Sequence, residues 1–124
     1  MLTLLFVALL QSGANTDAPS RAVANPRELM LEAIDAPDGK ASGILTGEMA
    51  DAIGRGFGTD APLMIEVTTL KRYRQDGCRR LNVAFSQRGV HLPGESTGSA
   101  RRIDFGIDYC RDGRPPSSRA EAQP

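Results

Sequence analysis

Three consecutive runs of alternating apolar and polar residues constrain this chain more than anything else in it. In the first, Leu63, Ile65, Val67, Thr69 and Tyr73 occupy odd positions, with Glu66, Thr68, Arg72 and Arg74 at even ones. In the second, Leu81, Val83 and Phe85 alternate with Arg80, Asn82, Ala84 and Ser86; in the third, Ile103, Phe105, Ile107 and Tyr109 alternate with Asp104, Gly106, Asp108 and Cys110. Successive strand residues point to opposite faces, so this pattern predicts an antiparallel sheet with one buried face. The odd residues are expected to point inward.

Parity also restricts register, because a slip of one residue would turn a whole strand inside out. Keeping odd residues opposite odd ones in the first hairpin favours a three-residue loop, Gln75-Asp76-Gly77, with Gly77 left-handed. That register sets Arg74 opposite Cys78, Arg72 opposite Arg80 and Val67 opposite Phe85. For the second hairpin, placing Cys78 opposite Cys110 aligns Leu81 with Ile107, Val83 with Phe105 and Phe85 with Ile103. The same alignment sets Arg80 against Asp108 on the other face. A single register therefore satisfies three apolar pairs and an ion pair, and predicts a Cys78–Cys110 cross-strand disulfide away from the apolar core.

Two helices are expected to cover the apolar face. Asn25 can cap, Pro26 suits a first helical position, and Glu28 follows three residues after the cap. Leu29, Met30, Ala33 and Ile34 then share a face, and Asp35-Ala36-Pro37-Asp38-Gly39 ends the helix. The second helix is predicted from a Thr46 cap to Gly54 or Phe57, with Met49, Ile53 and Phe57 recurring every four residues. The glycines of Gly54-Arg55-Gly56-Phe57-Gly58 close this helix. A phosphate-cradling loop would have to open one, so a nucleotide site is not indicated. The expected fold class is α+β: two helices on one face of a three-stranded antiparallel meander with one cross-strand disulfide.

The termini suggest export. Met1–Leu10 is apolar but too short for a membrane anchor, and Ser12 and Ala14 fit the −3 and −1 positions of a cleavage site. No Lys or Arg precedes the apolar run, which departs from the usual leader pattern. Residues 1–14 are read as a signal peptide, 15–24 as a disordered lead-in, 25–113 as one domain and 114–124 as a disordered tail. Two cysteines in a small exported domain favour a disulfide. Periplasmic or secreted localisation follows, with no stable membrane span after signal cleavage.

Chemistry is sparse. The single histidine, His91, lies in the Gly- and Pro-flanked loop Ser86–Ala100, and one histidine with two paired cysteines cannot supply a zinc set. Asp104 and Asp108 share a strand face but stand about 13 Å apart, beyond the spacing of paired hydrolytic carboxylates. No catalytic residue, metal ligand or cofactor site is expected. Charge gives a different signal. Formal net charge is zero, yet residues 1–70 carry net −5 and residues 71–119 net +6. Arg72, Arg74, Arg79, Arg80, Arg101 and Arg102 form the candidate binding face, with Arg72, Arg74 and Arg80 expected to point outward together.

The runs Val67–Tyr73, Gly77–Val83 and Phe105–Gly113 resemble uncharacterised small exported proteobacterial proteins, some encoded near conjugation or type IV secretion genes. The likeness covers residues 25–116 and brings no catalytic or binding residues with it. It adds a hint of genomic context; the role expected for the chain is non-enzymatic protein–protein interaction in the periplasm, as an accessory of an envelope or secretion machine. The alternative is a binder of anionic polymer (nucleic acid, phospholipid or polysaccharide) through the arginines. Exposed aromatics for base stacking are missing from that basic stretch, since Tyr73 has inward parity.

Overall fold

The computed structural model describes residues 21–122. The signal-peptide reading of residues 1–14 therefore lies outside the described residues. Among the described residues, five strands and two helices run in the order β1 (Arg21–Val23), α1 (Pro26–Asp35), β2 (Lys40–Leu45), α2 (Glu48–Gly56), β3 (Leu63–Arg72), β4 (Cys78–Val90) and β5 (Ser99–Cys110). The fold is α+β with two helices and the disulfide. The sheet, however, has five strands in sequential order, not three. β1 runs parallel to β2 and every other pair is antiparallel.

The α1 signals in the sequence act as expected. Asn25 Oδ1 accepts from the Arg27 amide at 2.9 Å and Pro26 opens the helix. Glu28 Oε2 reaches back to the Ala24 amide at 3.2 Å, one residue before the cap. Leu29, Ala33 and Ile34 are buried against Val23, Leu45, Ile65, Val67, Leu81 and Val83. α1 thus covers the middle of the sheet.

β2 is not expected from the sequence pattern, and it rearranges the layer. Its first residues Lys40-Ala41-Ser42-Gly43 carry little strand signal, yet Ala41, Gly43 and Leu45 all lie on the core side. Gly43 is needed there, because a Cβ would lie 2.7 Å from the Arg21 carbonyl oxygen and 3.2 Å from Leu29. β1 also takes residues 21–23 out of the expected lead-in.

The second hairpin has the predicted register: Cys78↔Cys110, Arg80↔Asp108, Leu81↔Ile107, Val83↔Phe105 and Phe85↔Ile103. The first does not. Val67 pairs with Val83, not Phe85, and Thr69 pairs with Leu81; beyond an irregularity at Leu70, Lys71 meets Arg80 and Arg72 meets Arg79. The extra residue reverses the parity of the strand beyond it. Tyr73, expected inward, instead joins Cys78 and Cys110 in a small buried cluster separate from the main core.

Two further readings change. The loop expected over Ser86–Ala100 shrinks to residues 91–98, because β4 continues to Val90 and β5 starts at Ser99. Residues 114–122 do not behave as a free tail. β2 ends its pairing at Thr68, and past that point the tail takes the vacant side of β3: the Arg74 amide donates to Ala120 at 2.8 Å and the Ala122 amide to Arg72 at 2.9 Å. Pro116 is buried and Ser117 is held by Gln75 Oε1.

Candidate functional site

The disulfide face is built from β4, β5 and the returning tail. Cys78 and Cys110 are bonded, with Cα atoms 4.0 Å apart. The Arg111 amide donates to the Gly77 carbonyl, which makes the neighbouring Cys78–Cys110 position the closer, non-hydrogen-bonded type. Beside it, Asp108 Oδ1 accepts the Tyr73 hydroxyl at 2.6 Å, and Oδ2 accepts Arg119 Nε at 2.7 Å. Arg80 Nη1 lies 3.3 Å away. The Tyr73 bond, then the Arg119 bond, then Arg80 hold the Asp108 carboxyl down at about 2. The same Tyr73–Asp108 bond raises the phenol. This carboxylate is consumed by its donors, and Asp104 likewise accepts from Arg102 and from Asn82 Nδ2 at 2.9 Å.

The six arginines do not form one face. Arg72 and Arg79 pair across β3 and β4 on the α1 side, where Arg79 Nη1 donates to Ala33 O and Thr69 Oγ1. Desolvation lowers the Arg79 guanidinium, and neighbouring Arg72 adds to that effect. Arg80 and Arg102 are on the disulfide side, joined to Asp108 and to Asp104. Arg101 is paired with Glu95 at 2.7 Å, and the Arg74 amide is bound by the tail. The Leu70 irregularity is the physical reason: it puts Arg72 and Arg80 on opposite faces, so the expected shared outward surface is not assembled. His91 is exposed in the loop, where its amide donates to the Phe57 carbonyl.

The structure brings together a different group. Ile103, Phe105 and Ile107, expected in the core, are 55%, 52% and 37% exposed. They have the predicted inward parity, but among the described residues no element covers them. Met49 of α2 is 66% exposed and Phe57 38%. Between α2 and the β4–β5 face lies a groove of about 520 Å³, walled by Met49, Ile53, Phe57, Phe85, Ile103 and Phe105. Phe85 and Phe105 meet edge to face in its floor, ring centroids 6.0 Å apart. α2 packs Ala50 and Ile53 against the core but starts without the expected Thr46 cap. Gly47, at φ 103°, precedes the helix without a side-chain cap bond, and Thr46 donates its hydroxyl to Val23 O instead of capping.

Among the described residues, β5 is also the open edge of the sheet, with β4 as its one strand neighbour. A long edge strand with an apolar face is a template for another strand. The period-two pattern contained Phe85, Ile103 and Phe105, and the four-residue repeat contained Met49, Ile53 and Phe57; what both lacked was the number of elements available to cover them. Comparison with protein-family models, curated proteins and solved structures returns no match for this chain. Among the described residues, no helix is long and apolar enough to cross a membrane.

Proposed function

We propose that this is an exported, non-enzymatic protein whose work is to dock a protein partner, as an accessory of an envelope or secretion machine. The observation that carries the reading is the uncovered apolar side of β5 beside an open strand edge. Contiguous exposed apolar surface of this kind marks interaction sites. The matching occupant is an extended segment that adds to β5 through main-chain hydrogen bonds and sends alternate apolar side chains into the groove. The disulfide fits an oxidising compartment, and export to the periplasm is part of the proposal. The anionic-polymer alternative has less support, because the arginines are divided between two faces and several hold carboxylates.

A photo-cross-linking residue in place of Phe105, in exporting cells, tests this. Adducts whose cross-linked peptide is an extended, alternating apolar segment are expected. A probe at Leu70, equally exposed but far from the groove, should give none. Absence of adducts at Phe105, together with salt-sensitive retention on heparin that Phe105→Asp leaves unchanged, would overturn the reading in favour of polymer binding.

A further inference from the structure

We infer that the strand received by β5 is β5 of a second copy, paired antiparallel about a two-fold axis at Phe105; this rests on the proposed docking role. The argument starts from which backbone groups are unspent. The Arg111 amide donates to Gly77, so in the regular β4–β5 register the odd residues of β5 turn their N–H and C=O groups toward β4. The even residues Arg102, Asp104, Gly106 and Asp108 turn theirs to the open edge. Cys110 also points outward, and its amide is already bound to the Arg114 carbonyl at 3.1 Å. The available edge therefore runs from Arg102 to Asp108.

A strand adding to this edge must place outward-turned residues opposite outward-turned residues. For two identical strands about a two-fold axis, few centres are possible, and side chains discriminate among them. Centring on Asp104 opposes that carboxylate to itself. Centring on Gly106 opposes Asp104 to Asp108. Centring on Ile103 sets Phe105 against Arg101. Centring on Phe105 sets Phe105 against its own copy and Ile103 against Ile107 on the groove side. On the other side it sets Arg102 against Asp108 and Asp104 against Gly106. No like charges face each other, and all four outward residues find partners because the available stretch is symmetric about Phe105.

The pairing also answers the exposed stripe. Phe105/Phe105 and Ile103/Ile107 fall at non-hydrogen-bonded positions, where facing side chains approach most closely. The two grooves become one continuous apolar surface on a ten-strand sheet. The interface is isologous, so it closes at a dimer. The opposite edge is β1, only three residues long, and offers little to propagate the sheet.

The test uses the full chain with its native disulfide. Sedimentation is expected to give twice the monomer mass, and Phe105→Asp the monomer mass; Phe105 is half exposed, so this variant should fold. Under oxidation, Phe105→Cys should give a covalent dimer. Ile103→Cys alone should not, but mixed with Ile107→Cys it should cross-link. A wild-type monomer at about 100 µM, far above the micromolar constants of ordinary interfaces, would overturn the inference. Equal cross-linking of Phe105→Cys and Ile103→Cys alone would overturn the register. A monomer that still gives foreign adducts at position 105 would refute self-pairing and leave the docking role standing; a monomer without adducts would refute both.

Discussion

Breaking the Cys78–Cys110 bond should cost this domain a large share of its stability, mostly through the unfolded chain. The bond spans a sequence separation of 32 residues. Closing a loop of that length removes about 12 cal/mol/K of unfolded-state entropy, or about 3.7 kcal/mol at 25 °C in the chain-entropy model. In the folded state the two residues already face each other in the β4–β5 ladder, so reduction should leave the ladder in place. The perturbation is reduction of the wild type, repeated with Cys78→Ala/Cys110→Ala. The assay is urea and thermal unfolding of the oxidised and reduced forms. For a domain of this size the loss corresponds to a fall in Tm of about 15 to 25 °C. The urea slope should rise on reduction, because the unconstrained chain exposes more surface. A difference below about 1 kcal/mol would refute the loop-closure reasoning. Two free thiols in protein produced in an oxidising compartment would refute the bond itself.

Three other perturbations probe separate parts of the structure. Asp108 titrates at about 2 when folded against an ordinary 3.8, so its contribution is present above about pH 4 and disappears as pH falls through 2. The stability gap between wild type and Asp108→Asn, measured by urea unfolding, should therefore shrink from pH 5 down to about pH 2; a constant gap would contradict the assigned hydrogen bonds. Leu29→Ala empties a fully buried position under α1 and should cost about 2 to 5 kcal/mol by the same assay. Gly43→Val would drive side-chain carbon into Arg21 O and Leu29, detaching β1. Its expected cost is about 1 to 3 kcal/mol, with faster amide exchange at Arg21–Val23 as the local signature.

The register of the second hairpin between Cys78 and Phe85 was legible because three constraints coincided: apolar parity, the Arg80–Asp108 pair and the two cysteines all required one register. The first hairpin had parity alone. Leu70 could be absorbed as a bulge without any signal from turn residues, and that one residue displaced Tyr73 and separated Arg72 from Arg80. β2 was hidden by composition, since Ala41, Ser42 and Gly43 are poor strand formers; Gly43 is made useful by its close approach to Arg21 O and Leu29. The polar tail gave no sign of its role, because its hold on β3 is made mainly by backbone groups. The candidate site was half legible. The sequence pattern marks Met49, Ile53, Phe57, Ile103 and Phe105 as apolar faces but gives no reason to leave them outside the core. Two unforeseen strands moved α1 over β2, β3 and β4, so the face at β5 was left open.

Hydrogen exchange along β5, measured residue by residue at increasing protein concentration, tests the central claim most directly. The amides of Ile103, Phe105 and Ile107 belong to the β4–β5 ladder and should be protected at every concentration. Those of Arg102, Asp104, Gly106 and Asp108 face the open edge. Self-pairing about Phe105 predicts that the Arg102, Asp104, Gly106 and Asp108 amides exchange freely when dilute and become protected together as concentration rises. Rapid exchange at all four in concentrated protein would contradict the account.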